Sequence, residues 1–398
     1  MQKVLVALSG GVDSSVAAAL LLQQGYEVVG GFIKNWSDTK DPMSGECAWR
    51  AERRDAIRVA AALDIPLLTF DFEKQYRRQI VDELYRGYAK GETPNPDVLC
   101  NQYIKFGLFF DKAMELGFDY IATGHYAITK SPTLNVQRPT SNVERPRSEA
   151  SAKECQKFNE TTSTDVRRST LDVGRLFRGV DPAKDQSYFL YRVPGSILRR
   201  TLMPVGGYTK SQIRSLAKKF KLPVASKPDS QGICFIGKVD FSKFLSNKLK
   251  NKPGNIITAD GKIIGQHQGL HNYTIGQRQR IAVADKHPWF AAVKDTKKNQ
   301  LIVVDSEKHP LLLSKDLILD DLHWIAGQAP KMPLKVHIQA RYRQEPLSAE
   351  LLTGKDKKTI HIKFKKPLSA AAPGQSAVIY QGQECLGGGI IRRTDHSC

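Results

Sequence analysis

No CxxC pair occurs among the six cysteines, Cys47, Cys100, Cys155, Cys234, Cys385 and Cys398, which argues against a zinc ribbon or a thioredoxin-like motif. No stretch approaches the roughly 20 apolar residues that a membrane-spanning helix needs, and no internal repeat stands out. The first strand-like run begins at residue 3, leaving no room for a signal or transit peptide, so the cytoplasm is the expected location. Structural disulfides are not expected in that reducing compartment. A cysteine that matters is then a nucleophile, a sulfur carrier or a cluster ligand, and the others are small hydrophobes. One lysine is also missing. ALSGGVDSS, residues 7–15, reads like a phosphate-gripping loop, yet no Lys follows Gly11 as in GxxxxGK[ST], where it serves the outer phosphates.

Acidic residues are scarce in one particular place. Between Arg192 and Lys252 there are 14 Lys/Arg and only Asp229 and Asp240, so this stretch supplies +12 of the chain's net +20. Such a block suits a polyanion, either nucleic acid or an acidic membrane face, although a merely solvated basic surface has the same composition. Amphipathic material within it, TKSQIRSLAKKFKL, argues for a folded surface.

The 398 residues suffice for two or three domains. Up to about residue 128, strand-like runs (KVLVAL, EVVGGF, PLLTFDF, DYIATGH) alternate with segments of helical periodicity (SSVAAALLLQQ, CAWRAERRDAIRVAAAL, KQYRRQIVDELYRGYA, and Pro96 to Leu116). That alternation predicts an α/β fold, a doubly wound parallel sheet that binds ligands at the strands' carboxyl ends. Lys130–Thr170 is rich in Ser, Thr, Asn, Pro and charge with Phe158 its only aromatic residue, and is predicted to be a disordered insertion. Residues 193–262 are predicted to form a small, mostly helical basic middle domain suited to a polyanion. Short strands from about 265 (WFAAVKD, QLIVVD, LKVHIQARYR, LSAELLTG, TIHIKFKK, QSAVIYQ) predict an antiparallel β-barrel over 263–398. The first domain is then 1–192.

Within the loop, Ser9, Gly10 and Gly11 offer backbone donors and a hydroxyl, Asp13 is placed to hold Mg²⁺, and Ser14 is placed to cap the helix and touch phosphate. A tight structural turn would contain the same glycine pair, but the full SGGxDS string is more specific. It resembles the signature of the PP-loop ATP pyrophosphatases, which split ATP to AMP and pyrophosphate. The missing lysine then has a reason: the implied chemistry is adenylation, an attack on the α-phosphate.

Further motifs narrow the resemblance. NWS (35–37), TPNPDVLCNQYIKFG (93–107), ATGHY (122–126), KDQSYFL (184–190), DSQGICFIG (229–237), HQGLHNYTIGQR (267–278), ARYRQ (340–344) and PGQSAVIY (373–380) follow in one order. Together they closely resemble the tRNA-specific 2-thiouridylases of the MnmA/TrmU family over nearly all of the chain outside Lys130–Thr170. The resemblance implies an ATP-dependent, Mg²⁺-assisted adenylation of C2 of the wobble uridine, followed by sulfur transfer. It implies an ATP site formed by Ala7, Leu8, Ser9, Gly10, Gly11, Val12, Asp13, Ser14, Ile33 and Gly124. Cys234 would carry the persulfide and Cys100 would attack the outgoing sulfur chain, leaving a transient Cys100–Cys234 disulfide, with Asp97 trading protons. Target-base and tRNA contacts are implied for Asn95, Pro96, Asp97, His125, Lys184, Asp185, Gln186, Arg341, Tyr342 and Gln375. The partners would be the tRNA anticodon stem-loop and a sulfur-relay protein or cysteine desulfurase; the enzyme would be a monomer without membrane attachment.

The residues read alone are less decisive. Asn95 suits a helix N-cap and Pro96 the first helical position, which places Cys100 near a helix start whose dipole favours thiolate, while an ionised Asp97 opposes it. A capping Asp beside a buried Cys fits the same residues. Gly124 also fits a plain turn, His125 a packed histidine, and ARYRQ an exposed strand face. Lys130–Thr170 is longer than the family's loop, IGQRQRIAV departs from its glycine-rich continuation, and Cys47, Cys155, Cys385 and Cys398 take no role. An iron–sulfur cluster on Cys100, Cys234 and Asp97 in place of the persulfide stays open. So do a PP-loop ligase or amidotransferase acting on a small metabolite, which would need neither cysteine, and a non-catalytic RNA-binding protein.

Overall fold

The computed structural model describes residues 1–38, 47–131, 173–229, 241–246, 248–279, 281, 283, 288–354, 356 and 358–392. Cys155, Cys234, Cys398 and the bulk of the 130–170 insertion lie outside the described residues.

The alternating first part forms a parallel sheet. Strands β1 (Lys3–Ala7), β2 (Glu27–Lys34), β3 (Leu67–Asp71), β4 (Tyr120–Ala122) and a two-residue β7 (Thr201–Leu202) lie in the order β3-β2-β1-β4-β7, each pairing parallel to its neighbour. After β1 the chain builds outward through β2 and β3, then returns to place β4 on the other side of β1. A crevice therefore opens at the carboxyl ends of β1 and β4, the topological switch point where doubly wound sheets bind ligands.

Helix α1 (Val12–Gln23) leaves β1 and buries Val16, Ala17, Ala18 and Leu21 under the sheet, with α2 (Ala48–Ala62) contributing Ala56 and Val59 to the same layer. On the opposite face lie α3 (Glu73–Tyr76), α4 (Asp82–Ala89), α5 (Pro96–Cys100) and α6 (Phe109–Glu115). Wide π-helical turns at Arg77–Val81 and Asn101–Leu108 join them into two long helical runs.

Residues 193–229 do not begin a separate middle domain. A single helical turn, α7 (Gly195–Leu198), leads into β7, which extends the parallel sheet, and α8 (Lys210–Lys219) packs Ile213 and Ala217 into the core shared with α1. The amphipathic, basic character that suggests a domain of its own is that of a covering helix with one face in this core. α8 starts at Thr209 with a reciprocal capping box to Gln212.

The middle unit is mainly sheet. After α9 (Phe241–Ser246), strands β8 (Gly254–Thr258), β9 (Ile263–His267), β10 (Phe290–Asp295) and β11 (Gln300–Val304) form a four-stranded sheet in the order β10-β11-β8-β9 around Ile256, Tyr273, Leu301 and Val303. Its strands are short, and Ile263 is largely exposed, so their alternation is weak in the sequence.

The barrel begins later than 263. Strands β12 (Leu313–Trp324), β13 (Leu334–Gln339), β14 (Leu347–Thr353), β15 (Ile360–Ser369), β16 (Ser376–Gln381) and β17 (Glu384–Ile391) run antiparallel, and β12 pairs with both β15 and β17 to close the ring. Closure removes the open edges that isolated sheets leave unpaired. Alternate residues such as Val336, Ile338, Leu351, Ile362 and Ile379 fill the interior.

One contact crosses the whole chain. The hairpin β5 (Ala127–Lys130) and β6 (Arg175–Arg178) joins the barrel through β17, with Phe177 opposite Glu384 and Leu176 opposite Cys385. A single core accordingly contains Ile104 and Phe106 of the first domain, Phe244 of α9, and Val378 and Tyr380 of the barrel.

Candidate active site

The loop between β1 and α1 is drawn in by its own hydroxyls. Ser9 Oγ lies 3.2 Å from Ser14 Oγ, Ser14 Oγ accepts from Ser9 N at 3.3 Å, and Ser15 Oγ donates to Gly11 O at 2.7 Å. Gly10 adopts φ +73° with its α-carbon against α2: a Cβ there would sit 2.4 Å from Glu52 O. Val12, Asp13 and Ser14 occupy the first turn of α1, where helix geometry leaves the N–H groups without intrahelical acceptors. Oriented donors and the positive end of the helix dipole suit an anion. Gly124, after β4, presses on this turn; a Cβ there would lie 2.6 Å from Ser14 N. Ile33 is buried at the end of β2.

Cations absent from the motif arrive from residues about two hundred positions away. Lys210 Nζ donates to both carboxylate oxygens of Asp13 at 2.7 and 2.9 Å, and Tyr126 Oη donates to the same carboxylate at 2.7 Å. Lys227 Nζ donates to Gly10 O at 3.1 Å and to Asp55 at 2.7 Å. Asp229 gathers Lys184, Lys210 and Arg214 at 2.7, 2.8 and 2.7 Å. Partial burial pushes its carboxyl upward, but hydrogen bonds from Lys184 and Lys210 outweigh that and hold it well below the usual carboxylate range. Burial, reinforced by Asp13, raises the Tyr126 phenol far above its ordinary value, so it stays a donor.

The sequence motifs give no role to Lys210, Lys227, Tyr126 or Asp229. The one available signal is an acid, Asp229, standing nearly alone in a basic block at the start of DSQGICFIG. For Mg²⁺, Asp13 offers a carboxylate at the anion loop, a donor set that fits an ion carried mainly by phosphate oxygens. Among the described residues, no group of three or more His, Cys, Asp or Glu is placed to hold a metal.

The second cluster surrounds α5. Asn95 Oδ1 accepts from Asp97 N at 3.1 Å and Val98 N at 3.3 Å, and Pro96 occupies the first turn, as the residue types predict. Asp97 is half-buried and Cys100, at the end of α5, is fully buried. The wide turn that follows carries Lys105, whose Nζ is 3.4 Å from His125 Nε2, while Thr123 Oγ1 is 2.8 Å from Nδ1. Burial, assisted by Lys105, lowers the His125 pKa well below its ordinary 6.5 and keeps the ring neutral.

Other candidate RNA contacts are engaged within the protein. Gln186 clasps Tyr126, donating through its backbone N–H and accepting from Tyr126 N at 2.9 Å each. Asp185 is buried and accepts from Gly179 N, Ser187 and Arg178. Lys184 pairs with Asp229. Tyr342, in a turn after β13, packs its ring 4.3 Å from that of Phe189, beside exposed Arg341. Gln375 Nε2 donates to Thr93 O at 2.6 Å.

The fold and this loop define a class. Family models described as the tRNA methyl transferase HUP domain, its PRC-barrel domain and the aminomethyltransferase beta-barrel domain match residues 2–238, 242–305 and 314–391. These divisions follow the sheets of the structure, not the boundaries at 192 and 262. Curated relatives narrow the class. The tRNA-specific 2-thiouridylase MnmA of Methylobacillus flagellatus is 43% identical over 395 residues, covering 98% of this chain and 98% of its own length. Those of Proteus mirabilis and Neisseria meningitidis serogroup B are 41% and 42% identical, each over 98% of this chain and 97% and 96% of theirs. The chain belongs to the MnmA family of tRNA-specific 2-thiouridylases, as the ordered motifs imply. No helix among the described residues is long and apolar enough to cross a membrane.

Proposed function

We propose that this chain is a tRNA-uridine 2-sulfurtransferase that adenylates the wobble uridine and then replaces its C2 oxygen with sulfur. The full-length match to the 2-thiouridylases carries this reading, and the anion loop and the α5 cluster supply its chemistry. ATP phosphates sit on the N–H groups of Val12, Asp13 and Ser14, with Lys210 and Lys227 as the nearby cations and Ile33 and Gly124 flanking the nucleotide. Mg²⁺ enters with ATP, with Asp13 as the residue to hold it, and when bound it neutralises charge on the departing pyrophosphate.

The uridine C2 oxygen is a poor leaving group. Its attack on the α-phosphorus expels pyrophosphate and makes that oxygen part of AMP, so one hard displacement becomes two easier ones. Asp97 takes and returns the N3 proton. The terminal sulfur of a Cys234 persulfide then adds at C2 and AMP leaves. The Cys100 thiolate attacks Cys234 Sγ, the S–S bond to the base breaks, and 2-thiouridine departs, leaving a Cys100–Cys234 disulfide for an external thiol to reduce. Cys100 is fully buried, so this step requires its surroundings to open. The wobble base must be splayed from the anticodon stack to reach α5, with Asn95, Pro96 and His125 beside it and Arg341 and Tyr342 at the RNA. A sulfur-relay protein or cysteine desulfurase recharges Cys234, and the enzyme acts as a cytoplasmic monomer.

The test is mass spectrometry of nucleosides from unmodified tRNA incubated with the protein, ATP, Mg²⁺ and a persulfide source. Wobble uridine is expected to gain sulfur for oxygen with one AMP and one pyrophosphate released per event, and Cys100→Ser and Cys234→Ser are expected to abolish it. Thiolation that survives both substitutions, or that proceeds without AMP, overturns the reading.

A further inference from the structure

The five residues that lead into α5 are tied down almost atom by atom, by all three parts of the chain. Helix α4 ends with Gly91 N donating to Tyr88 O and Glu92 N to Gly87 O, both at 3.0 Å, the paired bonds of a Schellman turn. Gly91 O then accepts from Lys294 Nζ of β10 at 2.9 Å. Thr93 N donates to Pro373 O of the barrel at 2.9 Å, and Thr93 O accepts from Gln375 Nε2 at 2.6 Å. Gly374 between those two barrel residues is in close contact, since a Cβ on it would lie 2.7 Å from Thr93 N. The next barrel residue reaches the same segment indirectly: Ser376 O accepts from Tyr188 Oη at 2.8 Å, and the buried Tyr188 is also hydrogen-bonded to the Asn95 side chain.

This strap has no slack. Pro94 fixes its own φ and carries no N–H, so a shift of Thr93 passes directly to Asn95, the residue that caps α5. Backbone groups buried at such a junction must find partners, and here the partners come from separate domains. Burial lowers the Lys294 amine to about 8, with Glu92 opposing; an ammonium is drawn into this junction for the sake of one carbonyl.

Taking the 2-thiouridylase reading as its basis, we infer that Gln375 and Lys294 are positioning residues for sulfur transfer: they lock the strap 91–95 to the barrel and the middle sheet, and so hold Asn95, Asp97 and Cys100 in register with the target base. Misplacement of reacting groups by about 1 Å costs on the order of 100-fold in rate, so an effect through position is readable.

Gln375→Glu keeps the size and replaces the donor by an acceptor facing Thr93 O; Gln375→Asn shortens the reach without adding charge; Lys294→Met removes the other donor. In each, single-turnover thiolation at saturating tRNA is expected to slow about tenfold or more. In Lys294→Met, affinities for tRNA and ATP should stay within about twofold, and in all three variants amide exchange should rise within 91–100 while the barrel strands keep their protection. In the Gln375 variants, a weakened tRNA Kd with an unchanged saturated rate would make that residue an RNA contact alone and overturn the inference, as would unchanged rate and exchange in all three. Exchange rising throughout the molecule would reduce both residues to general stability. Wild-type protein that makes no 2-thiouridine would sink the underlying reading instead, and the exchange measurement would still decide whether the clamp exists.

Discussion

Lys210 Nζ bridges Asp13, at 2.7 and 2.9 Å, and Asp229, at 2.8 Å, so one ammonium joins the anion loop to the basic stretch 197 residues further along the chain. A loop without its own lysine receives one from α8. Lys210→Met leaves two carboxylates facing each other with that cation gone. Charge-assisted hydrogen bonds contribute about 1.5–3 kcal/mol, so tRNA-dependent pyrophosphate release is expected to fall on the order of 10- to 100-fold. Asp13→Ala is expected to abolish ATP turnover while tRNA binding, measured by filter retention, persists. Normal turnover in either variant would remove that residue from the site.

Gly124 sets the depth of the crevice. A methyl group at this position would meet Ser14 N at 2.6 Å, a backbone atom that cannot swing aside. Gly124→Ala is expected to displace the first turn of α1 and to weaken ATP binding by at least about tenfold, of the size seen when oriented donors move. Calorimetric titration with a non-hydrolysable ATP analogue reads this directly, and unchanged affinity would mean the nucleotide does not use that turn.

Lys218, Lys219 and Lys221 are exposed on and just past the end of α8. If this face meets RNA, each Lys→Ala change should reduce the slope of log affinity against log salt by about 0.7–0.9 for every phosphate that is no longer neutralised. The triple variant should then bind tRNA more weakly and with a visibly flatter salt dependence. An unaltered slope would mark the face as merely solvated.

His125 is neutral in the folded state because burial and Lys105 depress its pKa. In the unfolded chain it protonates near 6.5. Between the depressed value and 6.5 the unfolded state binds more protons, so stability is full above that range and declines as pH drops through it. Thermal unfolding is expected to show a Tm that falls below about pH 6.5, and His125→Asn is expected to flatten part of that decline. A Tm profile identical to wild type would mean the ring is not held neutral.

Much of the first domain is legible in the residues. KVLVAL and EVVGGF are largely buried runs of strand length, PLLTFDF supplies the more exposed edge strand β3, and Asn95-Pro96 announces a helix start that the structure contains. The closed barrel is legible from its short strands and turns, although Leu313–Trp324 is not, because LSKDLILDDLHW breaks its alternation where it changes partner from β15 to β17. The middle unit is hard to place from its residues for two physical reasons. Thr201–Leu202 is too short a strand to signal that it completes a sheet begun about 200 residues earlier, and β8 and β9 bury too little to show a period. The site divides the same way: the loop and the α5 motif are local strings, whereas Lys210, Asp229 and the Gln375–Thr93 bond exist only through distant pairing.

The β5–β6 hairpin has a consequence for how the molecule is made. Leu176 and Phe177 can pair with β5 at once, but their other edge is covered only when Cys385 and Glu384 have been synthesised, so a nascent chain leaving the ribosome carries an uncovered strand edge until β17 emerges. Such pairing across great sequence distance is slow and exposes sticky intermediates. A stop codon before residue 376 would strip β16 and β17 together, leaving the N-terminal layer with its hairpin unpaired and dependent on chaperones for solubility.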